Sequence, residues 1–303
     1  MKTILIAGGS GLVGSRLSKL LSERNYEVRH LSRRPSPKAD YPTFVWDLQK
    51  DYIDPKALDE VDAVINLAGA GIADKLWSDS RKKLIVDSRV QSTGLLARKI
   101  QAGALKPSVY LSASAIGYYG HRGDQWVSET DGPGEGFLTE STLAWEKSIE
   151  EVAQTGVRTA FLRIGIVLST KGGAMEKMIL PLKLGVAGYF GQGEQWYSWI
   201  HIDDLCHMFI EAIEGEQYEG VYNAVSPSPE TNKELTRKLR SAYQANALLL
   251  PGPAFIFRTV MGEMADVILN STRVKADKIQ QAGFQFEYPD LELAMLDLIH
   301  YKK

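Results

Sequence analysis

The chain has 303 residues, with 35 Lys and Arg against 37 Asp and Glu, 44% apolar residues and one cysteine. Charge this evenly balanced gives no global field for a polyanion and no single-sign arm, so neither nucleic acid nor RNA is expected as a partner; the lone Cys206 forms no intramolecular disulfide, which points to a reducing compartment. The chain opens almost at once on a strand pattern rather than a leader, and no apolar run reaches the ~18 residues of a membrane span, so a cytoplasmic protein without membrane contact is expected.

Residues 3–7, TILIA, are the first strand-like run, and AGGSGLVGSRLSKLL follows directly. Gly8, Gly11 and Gly14 stand at GxxGxxG spacing between that strand and a helix over 15–23, with Leu12 and Val13 at the turn into it. One glycine permits the tight turn, one lets backbone N–H groups approach a pyrophosphate, and one lets helix and strand pack closely. In this strand–turn–helix context the pattern points to a dinucleotide. The second strand, 27–31, runs into HLSRRPS, where an acidic residue would hold a ribose 2′-hydroxyl; Arg33 and Arg34 stand there instead. Two guanidinium groups suit a 2′-phosphate, so NADP(H) is favoured over NAD(H).

Further strand-like runs follow at 43–46, 63–67, 108–112 and 159–162, alternating with helical patterns at 78–102 and 138–153. That alternation predicts an α/β fold: a Rossmann-type doubly wound parallel sheet covered on both faces. Past Leu168 the rhythm loosens, through GlyGly at 172–173, GVAGYFGQGEQ at 185–195 and PGP at 251–253. The expected division is an NADP-binding Rossmann domain over 1–168 and a smaller substrate region over 169–303, part of 199–225 returning to the sheet. His30, His121, His201, His207 and His300 show no ligand spacing among themselves or with Cys206, so no metal site is expected.

AGGSGLVG at 7–14, SRRP at 32–35, VINLAG at 64–69, SASAIGYYG at 112–120, LRIGIVLS at 162–169, GQGEQWYSWIHIDDL at 191–205 and GEMADVIL at 262–269 together resemble the extended short-chain dehydrogenase/reductases. More narrowly the chain resembles their NAD(P)-dependent sugar-nucleotide epimerases with a distinctive C-terminal segment. The resemblance implies that Asp47 and Leu48 flank the adenine and that Leu67, Ala68 and Gly69 line the cofactor. Arg89, where many relatives carry an asparagine, would also reach it. Glycines at 172–173 and 191–195 look like substrate-side loops, with Gln195, Trp196 and Trp199 presenting an amide and aromatic faces. The tryptophans could equally seal the junction of the two regions. The two long helices would supply a homodimer seam.

Such enzymes usually combine a Ser or Thr with Tyr-x-x-x-Lys, whose lysine lowers the phenol pKa for proton transfer. FLTESTLAWEKSIEE has no tyrosine. Taking Lys147 as the lysine puts Leu143 at the tyrosine position; aligning the Trp-Glu pair instead makes the two positions Leu138 and Thr142. Ser112 or Ser114 corresponds to the usual serine, and Tyr118 or Tyr119 could supply the missing proton from the loop side. Ser114, Tyr118 and Tyr119 are therefore the catalytic candidates, with His201 a substrate contact and Asp203 or Asp204 the N-cap of the following helix. The reading is an NADP(H)-dependent oxidoreductase or epimerase acting on a small polar substrate, such as a nucleotide sugar; the alternative is a redox-sensing or regulatory module that binds NADPH without turnover.

Overall fold

The computed structural model describes residues 1–34 and 38–300; the side chain of His300 and Pro35, the last residue of the SRRP motif, lie outside that description. In chain order its first half comprises β1 (Thr3–Ala7), α1 (Leu12–Glu23), β2 (Glu27–Ser32), β3 (Thr43–Asp47), β4 (Tyr52–Ile53), β5 (Ala63–Asn66), α2 (Asp79–Gln101), β6 (Val109–Ala115), β7 (Trp126–Val127), α3 (Phe137–Ala153) and β8 (Arg158–Ile164). The second half continues with β9 (Ile166–Leu168), α4 (Gly173–Lys183), β10 (Val186–Phe190), β11 (Trp196–Tyr197), β12 (Trp199–His201), α5 (Ile202–Glu214), β13 (Gly220–Ala224) and α6 (Asn232–Ala242), followed by shorter elements to His300.

One sheet of eight strands runs β13-β8-β6-β5-β1-β2-β3-β4. Its pairings are parallel except where β4 turns back on β3. Strand order reverses between β1 and β5, and such a switch leaves a crevice beyond the carboxyl ends of the strands. The sheet is buried on both faces, its central strands being apolar apart from Thr3, Asn66, Ser112 and Ser114, all of them buried. Ile4 and Ile6 of β1 join the core that includes Leu17 and Leu21 of α1, whereas Leu5 and Ala7 join the core with Leu95 of α2 and Ile149 of α3. Helix α1 buries Gly14, Leu17, Ser18 and Leu21, one stripe at helical spacing. Helix α2 starts where the Ser78 hydroxyl accepts the Arg81 N–H.

After β8 the chain touches the sheet again. β12 pairs in parallel with β9, His201 opposite Leu168, and β13 adds the outermost strand of the main sheet beside β8. Close approach at that junction requires Gly165, whose notional Cβ would lie 2.3 Å from the Ser198 carbonyl oxygen. Among the described residues no helix is long and apolar enough to cross a membrane.

Candidate cofactor and substrate site

The glycine loop is held by backbone contact. Gly8 has φ +83°, and a Cβ on it would meet the Leu67 carbonyl at 2.8 Å, so the β1–α1 turn lies directly on the end of β5. A Cβ on Gly14 would meet the Gly8 oxygen at 2.4 Å, and one on Gly9 would strike the His30 ring at 2.3 Å. His30 thus stands under the loop, its Nε2 2.7 Å from the Ser18 hydroxyl, and burial pulls its pKa below the usual histidine value. Gly11 is the N-cap of α1 and offers no side-chain acceptor, so no cap claims the first N–H groups of the helix that opens with Leu12 and Val13. Such a terminus fits an anion, and every added methyl group would fill the cradle.

Around that loop the other expected cofactor positions gather at the carboxyl rim. Arg33 and Arg34 are exposed just beyond β2. Asp47 ends β3 with its carboxylate accepting the Gln49 and Lys50 N–H groups, and Leu48 packs beside it. Leu67 donates its N–H to the Ala7 carbonyl, Ala68 to the Asn66 side chain, and Gly69 is so close to Arg89 that a Cβ would lie 3.0 Å from the guanidinium carbon. Arg89 Nη1 donates to the Ala70 and Ile85 carbonyls, and the guanidinium lies 5.0 Å from the Trp145 ring centroid. Burial, with Arg81 nearby, pulls its pKa down to about 10. Among the described residues it forms no carboxylate pair. A desolvated cation beside this loop suits an anionic dinucleotide.

The serine–tyrosine segment resolves differently from expectation. Tyr110 of β6 packs in the core with α2 and α3, and Ser114, four residues on along the strand, also turns inward: its hydroxyl donates to Glu146 Oε1 at 2.6 Å. Glu146 also receives Arg163 through Nε at 2.9 Å and Nη2 at 2.8 Å. Arg163 Nη1 donates to the Tyr119 hydroxyl, which donates to Asn223 Oδ1 at 2.7 Å. Tyr118 lays its ring 3.4 Å from the Arg163 guanidinium carbon. Tyr119 is fully buried, and desolvation pushes its phenol up to about 12, the wrong direction for proton exchange near neutral pH. Ser112 donates to the Ala113 carbonyl and is also buried. Ser114 and Tyr119, expected at the substrate, are thus engaged in a buried polar network against which the half-buried Tyr118 packs, and its other members, Glu146, Arg163 and Asn223, the sequence did not reveal.

What does face the large cleft at this corner is Ala115, Ile116, Gly117 and Leu138. Both Leu143 and Lys147 are exposed on the outer face of α3, whereas Leu138 and Thr142 lie against Gly117, at 3.4 and 3.5 Å from its notional Cβ. Of these four residues, Leu138 is the one that lines the cleft. Thr142 spends its hydroxyl on the Leu138 carbonyl. The cleft, about 970 Å³, runs from here past β9 and α4 to residues 266–272. Its roof is the loop after β5: Lys177 donates to the Ala73 carbonyl at 2.9 Å, Lys82 pairs with Glu263, and Trp77 packs edge-on against Phe137.

None of Gln195, Trp199 and His201 lines this cleft. Trp199 is 0% exposed with its indole N–H on the Ser228 carbonyl, so it seals the junction and presents no face to a ligand. Gln195 donates to the Phe190 and Ile268 carbonyls. Trp196 does line the cleft, with Arg273 stacked at 3.7 Å. His201 lines instead a second cavity of about 760 Å³ that also takes in Ser10, Gly11 and Leu12 of the glycine loop and Arg16 of α1. It, rather than Asp203 or Asp204, caps α5, its Nδ1 accepting the Asp203 N–H; Asp203 pairs with Arg16 at 2.6 Å, and Asp204 accepts the Glu287 and Tyr288 N–H groups. Burial lowers the His201 pKa, which keeps the ring neutral against Tyr288 at 3.8 Å.

Residues 4–224 match the family model described as the NAD dependent epimerase/dehydratase family. The chain belongs to that family. Residues 253–298 match a second model, a domain of unknown function, DUF1731. An epimerase family protein of Staphylococcus aureus strain N315 is 34% identical over 307 residues, covering 99% of each chain. The crystal structure of human epimerase family protein SDR39U1 with NADPH superposes with TM-score 0.89 at 30% identity, over 98% of this chain and 99% of that one. A nucleoside-diphosphate sugar epimerase from Corynebacterium glutamicum gives TM-score 0.79 at 32% identity, over 99% of this chain and 58% of that one. Family membership and the glycine cradle agree on an NAD(P)-binding, oxidoreductase-like fold. Among the described residues that line the cleft at the corner between β6 and α3, Ala115, Ile116, Gly117 and Leu138 carry no hydroxyl, phenol or ammonium group.

Proposed function

We propose that this protein binds NADP(H) and donates reducing equivalents to a small organic acceptor, rather than epimerising a sugar through oxidation of its hydroxyl group. The observation that carries the reading is the lining of the cleft by Ala115 and Leu138. Taking a proton from a substrate hydroxyl requires a base within hydrogen-bond reach, and neither side chain can accept one. Reducing a carbonyl or a conjugated acceptor needs a proton delivered to the product, which water entering the cleft supplies. Gly8, Gly11 and Gly14 with the α1 terminus would hold the pyrophosphate, Arg33 and Arg34 the 2′-phosphate, Asp47 and Leu48 the adenine edge, and residues 67–69 with Arg89 the ribose side. When bound, NADP(H) supplies hydride chemistry at its nicotinamide. The NADPH in the SDR39U1 structure supports the choice of the phosphorylated coenzyme.

Calorimetry tests the cofactor. NADPH should bind well ahead of NADH, and Arg33→Ala with Arg34→Ala should cost about 2–4 kcal/mol toward NADPH, two charge-assisted contacts, while leaving NADH nearly unchanged. Equal losses would reject the 2′-phosphate assignment. Turnover is tested by following NADPH absorbance with neutral aldehydes, ketones and quinones, and with sugar nucleotides. No oxidation by any acceptor, together with a partner captured only in the presence of NADPH, would leave the non-catalytic module as the function.

A further inference from the structure

The large cleft is distinguished by its charge and by how its hydrogen-bonding groups are used. Its walls are mostly apolar: Leu138 and Ile166 on one side, Met178 and Pro181 from α4, and Phe257 and Ile268 from the C-terminal segment. Among the described residues no arginine lines it. Lys177 is the one lining cation among the described residues, and its ammonium is engaged by the Ala73 carbonyl at 2.9 Å. Three carboxylates line the same space: Asp74, 3.5 Å from Arg81; Asp266, 3.2 Å from Arg258; and Glu176.

The lining hydroxyls are spent on backbone. Tyr197 donates to the Ile268 carbonyl at 2.6 Å, Thr272 to Gly120 at 2.8 Å, Thr236 to Asn232 at 2.8 Å and Ser198 to Thr272 at 2.8 Å. Asn232 uses its carbonyl oxygen to accept the Phe190 N–H. That leaves the Asn232 and Asn270 amide groups as uncharged handles.

We infer that the cleft selects an uncharged, largely apolar molecule, an aromatic or alicyclic carbonyl compound with one or two hydrogen-bonding groups, and discriminates against nucleoside diphosphates. This rests on the reading of the cleft as the substrate side of the site. A diphosphate brings two negative charges that are costly to desolvate without guanidinium partners, and here the one lining ammonium among the described residues is already engaged by a carbonyl. An apolar ring gains from burial in the same walls, and the two amides orient its polar end.

The test uses the full chain saturated with NADP⁺, so that binding is read without turnover. Calorimetry compares 2-naphthaldehyde with UDP-glucose and UDP. Naphthaldehyde should bind at least about tenfold more tightly, with an affinity unmoved by salt. Met178→Arg should weaken naphthaldehyde about tenfold, strengthen UDP, and leave NADP⁺ affinity and the melting temperature unchanged. UDP-glucose binding as tightly as or more tightly than naphthaldehyde in the unmodified chain would overturn the inference. If NADP⁺ itself fails to bind, the cofactor assignment falls instead, and the same comparison on the cofactor-free chain still decides the chemistry of the cleft.

Discussion

Replacing Glu146 with alanine isolates the buried polar network. Glu146 is 6% and Arg163 4% exposed, and the carboxylate receives two guanidinium hydrogen bonds and one from Ser114. Burial alone would lower the Arg163 pKa, yet its hydrogen bonds to Glu146 and their charge attraction hold it above the usual arginine value. Without the carboxylate that charge has no partner in the core, a situation that costs about 3–5 kcal/mol. In a chain of this size each kcal/mol moves the midpoint by roughly 2–4 °C, so Glu146→Ala should melt about 10 °C lower. Urea midpoints should fall in parallel. Removing both charges with Glu146→Leu and Arg163→Met should recover more than half of the loss, because an apolar pair needs no compensation. NADPH affinity should change little, since no network member touches the glycine loop. A loss below about 1 kcal/mol in the single variant would refute the claim that this pair is desolvated and mutually dependent.

Three further outcomes follow from the geometry. Gly14→Ala places a methyl group 2.4 Å from the Gly8 carbonyl oxygen and should weaken NADPH about tenfold or more by calorimetry, whereas Gly132→Ala, with open space around it, should do nothing. Burial depresses the pKa values of His30, His201 and His207, so the native state binds fewer protons than the unfolded chain; stability should hold above about pH 6.5 and fall as the solution is acidified below it, a slope in melting temperature that His30→Gln should reduce. Installing Ala115→Ser, Leu138→Tyr and Thr142→Lys together should speed oxidation of a neutral secondary alcohol by about a hundredfold in a steady-state assay, and an unchanged rate would place those positions away from the reacting atoms.

Local signals were the legible ones. Glycine spacing, strand–helix alternation and the arginines after β2 all depend on residues close together in the chain, and the sheet and its loop follow from them. The inward turn of Ser114 depends on which face of β6 an even residue takes, a parity fixed only once α3 has packed. The network joins residues 114, 119, 146, 163 and 223, contacts between separate elements that no single window contains. Trp199 read equally well as a ligand face or as a plug because an aromatic side chain serves either, and only the Ser228 carbonyl partner decides between them.

The outer edge of the sheet is completed late. β8 pairs on one side with β6 and on the other with β13, which the ribosome delivers only after α4, α5 and the strands between them. Until then the amide and carbonyl groups along that rim of β8 have no neighbour, and a nascent chain stalled in this interval would display an adhesive strand to its surroundings.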